Sequence, residues 1–470
     1  MLFNSFQFLV FLPVVFLLYG LLQTKKQQNI FILLSSYFFY GWWDWRFLSL
    51  IILSSCIDYW SAKKMQETNA PSARSGFLAL SMIGNLGMLG FFKYFNFFSS
   101  SLQQALDSIN VSYTPLALNI ILPVGISFYT FQTMSYTIDV YKKRIQPTKD
   151  PIAFFTYVAF FPQLVAGPIE RAHRLLPQFE KKRTFDYSTA ISGAKLILWG
   201  FFKKLVIADN CAVLVNAIFI NYPDKGSPEL VLGSVFFAFQ IYCDFSGYSD
   251  IAIGISRLFN ISLMKNFDYP YFSKSMGEFW RRWHISLNTW FRDYLYIPLG
   301  GSRGTKLFVI RNIFIVFVTS GLWHGANWTF VIWGVLNAIY FLPSLFKKNQ
   351  SNVEPNIFFS KATNFFRVVF TFSLTCIAWI FFRSATIEDA LGYFTGILSL
   401  TPSENLSKYF FMLVTIVLFM LLEWKGRKKE CPIDYPIKNT FLKYLYYSMF
   451  VYIIIFFGAT EEQSFIYFQF

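Results

Sequence analysis

The sequence predicts an all-α, polytopic membrane protein, and three observations lead to this prediction. Hydrophobic residues make up 55% of the 470 residues and the mean hydropathy is +0.42. Charged residues make up only 14%, whereas soluble domains carry about 25%. Apolar runs of membrane-spanning length recur from one end of the chain to the other. We therefore predict about 11 to 12 transmembrane helices, because only helices and closed barrels satisfy the backbone within lipid.

The distribution of charge predicts the orientation of these helices. The net charge is +15, from 41 basic and 26 acidic residues. Most basic residues lie in short loops between apolar runs, as at residues 25–26, 142–144 and 425–429, while the intervening loop 99–114 has no basic residue. Cytoplasmic loops are rich in Lys and Arg, so we expect these basic loops inside and both termini outside. The charge then reflects topology and contact with membrane lipids, and no nucleic-acid partner is expected.

The predicted spans follow the apolar runs in chain order, and three stretches depart from a simple crossing. The spans are residues 6–23, a short pair within 30–60, 76–98, 116–139, the end of 189–220, 230–260, 307–323, 327–346, 364–382, 409–424 and 441–458. Residues 154–171 are interrupted by prolines and glycine, which predicts a re-entrant or buried broken helix. The start of 189–220, around Lys203 and Lys204, and the basic, aromatic stretch 262–306 are predicted to be amphipathic helices at the membrane interface.

Two of the three histidines in the chain are the first candidates for proton transfer. His284 and His324 each follow a tryptophan, Trp283 and Trp323. An imidazole accepts a proton near neutral pH at little cost, and burial keeps it neutral, which suits a general base. His324 ends an apolar run between two glycines, which allow close backbone approach. A structural histidine, bonded to a neighbouring carbonyl, is the alternative.

Other residues near these histidines suit the binding of a donor. Arg281 and Arg282 match phosphate geometry, and Trp283 offers a ring for stacking, although an interfacial helix meeting lipid phosphates has the same pattern. Asp244 is a carboxylate inside an apolar span, where such groups mark either functional sites or structural networks. Trp323 and Asn327 carry N–H donors that suit an oxyanion. Three widely separated histidines give no metal-ligand pattern, and no phosphate-cradling loop is present.

Several segments carry a resemblance to a known family. They are Phe3-Asn4-Ser5 with Phe8, 162–169, 244–250, 279–287, Gly321-Leu322-Trp323-His324-Gly325, Phe381-Phe382-Arg383 and the terminal 465–470. In this order they resemble the membrane-bound O-acyltransferase (MBOAT) family, in particular its bacterial branch that includes an alginate O-acetylation membrane protein. The resemblance covers most of the chain, and the combination of motifs is highly specific.

The resemblance implies a single MBOAT-type transmembrane domain over residues 1–470 that encloses a tunnel between the membrane faces. It implies that His324 is the catalytic base and that His284 also acts in the site. Residues implied in donor binding or in the tunnel are Arg281, Arg282, Trp283, Gln163, Asp244, Tyr248, Trp323 and Asn327. No tightly bound cofactor is expected. The acyl donor is expected to be acetyl-CoA from the cytoplasm of a bacterium, and the site to lie in its inner membrane.

The acceptor and the acyl group stay open at this stage. The resemblance implies O-acetylation of an exported polysaccharide, with an exported SGNH-type acetyltransferase or another polysaccharide-modifying protein as partner. A D-alanyl transferase fed by a carrier protein is the alternative within the family. A proton-coupled transporter or scaffold is the alternative of another class, and the absence of internal repeats argues against it.

Overall fold

The computed structural model describes residues 1–112, 114, 118, 120–165, 167–346, 357–403, 405–459 and 463–468. This part of the chain is helical and contains no strand, so the predicted all-α class is confirmed. Ala166, Gln469 and Phe470, which belong to motifs named above, lie outside the described residues.

The chain forms two compact units by its internal contacts. The first unit contains Met1–Ala194 and Ala252–Met264, and the second contains Lys195–Ile251 and Lys265–Phe470. The division falls within two helices, so that each helix contributes to both units. The single domain expected from the family resemblance is not tested by this division and stays a prediction.

The first unit is built from short and long helices around a polar core. Its helices are α1 (Phe6–Gly20), α2 (Lys25–Asp44), α3 (Leu48–Glu67), α4 (Pro71–Leu89), α5 (Phe95–Asp107), α6 (Ile126–Tyr141), α7 (Pro151–Ala159), α8 (Phe161–Leu164), α9 (Ala172–Phe179) and the first part of α10 (Tyr187–Phe201). In its core the buried Asp58 carboxylate accepts hydrogen bonds from Ser81 Oγ and, at 2.9 Å, from Asn85 Nδ2. Buried polar groups persist when they are paired in this way.

The predicted break near residue 160 is present in this unit. Helix α7 ends at Ala159, α8 is a single turn, and the described residues between α8 and α9 (165 and 167–171) have irregular backbone. A side chain at Gly167 would collide with the backbone of Gln163, so the sharp turn requires glycine there. The described residues of this segment are buried, as irregular backbone at membrane depth must be.

The second unit contains the remaining helices. They are α11 (Asp209–Ile220), most of α12 (Ser227–Leu258), α13 (Met276–Arg282), α14 (Ile285–Phe291), α15 (Lys306–His324), α16 (Trp328–Phe346), α17 (Ile357–Arg383), α18 (Ile387–Leu398), α19 (Phe410–Gly426) and α20 (Thr440–Phe457). A π-helical turn, Phe202–Ala208, joins α10 to α11, and another, Arg292–Tyr296, follows α14.

Seven helices among the described residues are long and apolar enough to cross a membrane. They are Pro71–Asp107, Ser227–Leu258, Lys306–His324, Trp328–Leu345, Ala362–Arg383, Ser407–Gly426 and Thr440–Phe457, and α1 is a shorter apolar helix. The predicted number of spans is larger because it includes more polar helices such as α2, α3 and α6. Crossing by those helices stays a prediction.

The two stretches predicted to be interfacial helices contain residues that are buried inside the protein, and their depth relative to the membrane stays a prediction. Lys203 and Lys204 are only 3% and 4% exposed, because each forms an ion pair inside the second unit. The stretch 262–306 contains α13 and α14, whose aromatic residues Phe279, Trp280 and Trp290 are buried. Basic and aromatic residues at an interface have the same composition as paired charges in an aromatic interior, so the pattern could not separate the two.

Candidate functional site

His324 is positioned by the helical hairpin of α15 and α16. It is the last residue of α15, and Gly325 ends the helix with its N–H bonded to the Gly321 carbonyl at 3.3 Å. Side chains at Gly321 or Gly325 would overlap Phe330 of α16. The glycines therefore allow the close approach of the two helices that the sequence predicted, and this approach holds the imidazole in the interior.

An aromatic cage surrounds the His324 ring. Its ring centroid lies 5.1 Å from those of Trp323 and Trp333, 5.3 Å from Phe382 and 5.6 Å from Tyr467. The side chain is 4% exposed. A cage of this kind excludes bulk water, and electrostatic interactions are stronger where water is excluded.

His284 lies in the left-handed region of backbone space between α13 and α14, with φ 43° and ψ 55°. It is 1% exposed, and its Nδ1 lies 3.2 Å from Asn266 Oδ1. Its ring packs edge-on against Phe245 at 4.6 Å. Burial lowers the pKa of His284 to about 3, so the imidazole is neutral at physiological pH.

The structure brings the two histidines to the same pair of aromatic side chains. Trp323 lies 6.0 Å from His284 and 5.1 Å from His324, between ring centroids. Tyr467 lies 6.3 Å from His284 and 5.6 Å from His324. The composition of 262–306 predicted an interfacial location for His284, whereas the family resemblance implied that His284 acts in the site. Neither singled out Tyr467 as a site residue. The recurrence of aromatic residues in the terminal motif 465–470 was the available signal.

A cavity of about 500 Å³ lies beside this centre. Its lining combines Arg281, Arg292 and Asn288 with apolar side chains of α15 and α16. Trp280, which also lines the cavity, packs against Trp333 at 5.7 Å, and Trp333 packs against His324. Two tryptophans in contact, Trp280 and Trp333, therefore lie between the cavity and His324, and Arg281 and Arg292 are in the cavity wall.

The other predicted residues of this region have different surroundings. Arg282 forms an ion pair with Glu278 at 2.7 Å. Trp283 is buried among aromatic side chains, including Phe267 at 5.1 Å and Trp379 at 5.2 Å. The Trp283 ring therefore packs against other side chains of the protein, whereas the sequence had suggested that it stacks on a donor. Of the pair Arg281 and Arg282, only Arg281 lines the cavity.

The remaining predicted site residues are held in hydrogen bonds or packing. Asn327 donates to the Ala385 carbonyl at 2.8 Å and accepts from the N–H of Thr329 at the start of α16, which favours a capping role. Asp244 is paired with Lys204 at 2.8 Å. Tyr248 is buried beside Phe465. Gln163 lies in the core of the first unit and donates to Gln132 Oε1.

Comparison with known proteins identifies what the chain is similar to. A family model described as MBOAT, membrane-bound O-acyltransferase family, matches residues 3–386. A protein named probable alginate O-acetylase AlgI, from Pseudomonas syringae pv. tomato, is 41% identical over 401 residues, 83% of this chain and 74% of that protein. A peptidoglycan O-acetyltransferase of Helicobacter pylori is 36% identical over 433 residues, 85% of this chain and 80% of that protein. A teichoic acid D-alanyltransferase of Bacillus subtilis is 26% identical over 277 residues, 56% of this chain and 69% of that protein.

Proposed function

The chain belongs to the membrane-bound O-acyltransferase family. We propose that it moves an acetyl group from cytoplasmic acetyl-CoA across the membrane for the O-acetylation of an exported polysaccharide. The protein is a multi-pass membrane O-acyltransferase. One observation carries the proposal: two buried histidines share Trp323 and Tyr467, beside a cavity with guanidinium groups in its wall.

The cavity supports a donor that carries both phosphate and an uncharged reactive end. Arg281 and Arg292 offer planar donors that match phosphate oxygens, although Arg292 Nε already donates to Asp293 at 2.8 Å. The apolar wall suits the uncharged arm of a thioester. A charged cofactor cannot cross a bilayer, but its acyl group can pass through a protein interior. This donor side is expected to face the cytoplasm, where acyl-CoA is made.

His324 is the proposed general base. Its imidazole takes the proton of an acceptor hydroxyl as the hydroxyl oxygen forms a bond to the thioester carbonyl carbon. The carbon–sulfur bond then breaks and the proton moves to the departing thiolate, which leaves an ester and a thiol. The aromatic cage keeps water, a competing acceptor, away from the acyl group.

The relatives support O-acetylation over D-alanylation. Proteins named alginate O-acetylase and peptidoglycan O-acetyltransferase are 36–41% identical to the chain, while those named teichoic acid D-alanyltransferase are 26–28% identical. The proposed acceptor is therefore a hydroxyl of a cell-envelope or exported glycan. The proposed location is the bacterial inner membrane, with an exported SGNH-type acetyltransferase as the protein that completes the transfer.

The test measures acetyl transfer by purified protein with radiolabelled acetyl-CoA. We expect His324→Ala and His324→Gln to lose roughly 10²–10⁴-fold in turnover, the usual contribution of general-base catalysis, while eluting as monodisperse protein. A structural histidine would instead lower the yield of folded protein and spare the activity of each folded molecule. Retention of more than about a tenth of the activity per folded molecule would remove His324 as the base.

A further inference from the structure

The C-terminal segment, residues 463–468, lies in the second unit and reaches the histidines. Phe465 and Ile466 are 1% exposed, and Ile466–Phe468 form a single 3-10 turn. The Tyr467 ring at the centre of that turn contacts His284 and His324. The contacts that fix this segment therefore also fix the position of the Tyr467 ring beside the two histidines.

Two hydrogen bonds fix the main chain of the segment to a buried charge cluster. The N–H of Ile466 donates to Asp244 Oδ2 at 2.8 Å, and Lys204 Nζ donates to the carbonyl of Gln463 at 3.2 Å. Lys204 also contacts Asp209 and Asp244, each at 2.8 Å. All three of these residues are less than 5% exposed.

The charge of this cluster explains why it binds the segment. Two carboxyl groups, Asp209 and Asp244, share the Lys204 ammonium group, so the cluster has more hydrogen-bond acceptors than Lys204 alone can satisfy. A buried charge is costly unless hydrogen bonds complete its surroundings. The N–H of Ile466 supplies such a bond to Asp244, and a hydrogen bond to a charged acceptor is stronger than one between neutral groups.

The π-helical turn Phe202–Ala208 places Lys204. It also lies beside the end of α20, the helix that precedes the C-terminal segment in the chain. A π turn leaves carbonyl groups outside the regular helical pattern, and such turns are frequent at functional sites. The Leu205 carbonyl accepts from the N–H of Ala459, just after α20, at 3.1 Å. Asn210 Nδ2 donates to the Val206 carbonyl at 3.0 Å and to the Phe457 carbonyl at 2.9 Å.

Helix α12 completes the seat of the segment. Asp244 is followed by Phe245, whose ring lies 4.5 Å from that of Tyr467, and by Tyr248, whose ring lies 4.8 Å from that of Phe465. Residues 244 and 248 stand on one face of a helix because they are four apart. Helix α12 thus supplies both the carboxylate that accepts from Ile466 and the aromatic rings that pack against the segment.

We propose that the cluster of Lys204, Asp209 and Asp244 is a latch that sets the C-terminal segment, and with it Tyr467, against the two histidines. Asp244 and Lys204 are then positioning residues for acyl transfer. The proposal rests on the proposed function. Its consequence is kinetic, because a displacement of about 1 Å at a reacting centre costs on the order of 10²-fold in rate.

The test removes the latch hydrogen bond without touching the charged residues. Ile466→Pro deletes the N–H that Asp244 accepts, and a proline is compatible with the first position of a helical turn. Ile466→Ala is the matched control, because it loses the buried side chain and keeps the N–H. Carboxypeptidase digestion of the full-length protein in detergent, followed by intact mass, reports release of the segment. Acetyl transfer reports turnover.

We expect Ile466→Pro to be trimmed past Tyr467 and to lose about tenfold or more in turnover relative to Ile466→Ala, with the KM for acetyl-CoA unchanged. A segment that stays resistant to digestion in Ile466→Pro would overturn the latch. A released segment with the turnover of Ile466→Ala would overturn the positioning role.

A second pair of variants covers poor folding of the proline variant. Asp244→Ala removes the acceptor, and Asp250→Ala is its control. Asp250 is on the same helix as Asp244 and is also ion-paired, with Lys203 at 2.7 Å. Only Asp244→Ala should release the segment, and equal release in both would contradict the latch. If the wild-type protein transfers no acetyl group, the proposed function fails, while digestion still reports whether the latch exists.

Discussion

At the residue scale, substitutions of the cavity arginines can distinguish donor binding from lipid anchoring. Arg281 and Arg292 line the cavity, and Arg282 does not. Both Arg292 and Arg282 are ion-paired, with Asp293 at 2.8 Å and Glu278 at 2.7 Å. We expect Arg281→Ala with Arg292→Ala to raise the KM for acetyl-CoA by about tenfold, since a hydrogen bond to a charged group contributes about 1.5–3 kcal/mol. Steady-state kinetics at varied donor concentration measure this effect.

Arg282→Ala is the matched control for that experiment. It removes a guanidinium from the same helix, and its ion pair with Glu278 is half-exposed, where such pairs contribute little. A rise of the donor KM in Arg282→Ala equal to that of the double variant would mean that general positive charge, and not the cavity, attracts the donor.

His284 makes stability depend on pH, with a defined sign. Its pKa is lowered by burial from 6.5 to about 3. Above pH 6.5 the ring is neutral in the folded and unfolded protein, and its contribution to stability is complete. As the pH falls from 6.5 towards 3 the unfolded chain binds the proton first, so this contribution is lost.

His284→Asn is expected to weaken this acid sensitivity. Asparagine tolerates the left-handed backbone at this position, where φ is 43°, and it does not titrate. The melting temperature of the wild-type protein should therefore fall further between pH 7 and pH 4.5 than that of the variant. Parallel curves for the two proteins would show that His284 is not the group responsible.

At the scale of the element, glycines fix the hairpin that presents His324. A Cβ at Gly321 would meet the Phe330 carbonyl, and one at Gly334 would lie 2.5 Å from the Phe317 carbonyl. We expect Gly321→Ala to cost about 1–3 kcal/mol, as overpacking does, because backbone atoms cannot move aside as a flexible side chain can. The melting temperature and the activity of each folded molecule measure the effect.

Gly87→Ala is the control for this prediction. Gly87 also lies within a helix, α4, but no atom is within 4 Å of its potential Cβ. Alanine is the better helix former by about 1 kcal/mol, so this variant should be as stable as the wild-type protein or more so. Equal loss in both variants would mean that helix flexibility, and not close packing, requires glycine.

At the scale of the whole molecule, the open question is orientation. The positive-inside rule predicts Lys143 and Lys428 in the cytoplasm and Ser101 outside. Cysteines introduced at these positions, in a background where the exposed Cys56 is replaced, can be treated with an impermeant thiol reagent on intact cells. We expect labelling at position 101 alone. Labelling at position 143 would reverse the orientation and with it the side on which the donor enters.

Local sequence determined the class of this protein and the identity of its histidines. Hydropathy predicted the membrane helices because each span must satisfy its backbone within itself. The break near residue 160 was predictable from its prolines and glycine. The order of the motifs indicated the family, and the comparisons confirm it.

Only the tertiary structure decided which distant residues meet. Ile466 and Asp244 are 222 positions apart, and Lys204 and Gln463 are 259 apart. Contacts between such distant residues produce no periodic pattern in the sequence that could predict them. Lys203, Lys204 and His284 were placed at the membrane surface because a basic, aromatic stretch is typical of an interface. The structure buries them because carboxylates on α12 pair the lysines and aromatic residues enclose the neutral imidazole. Burial of a polar group depends on its partners, and the partners are supplied by folding.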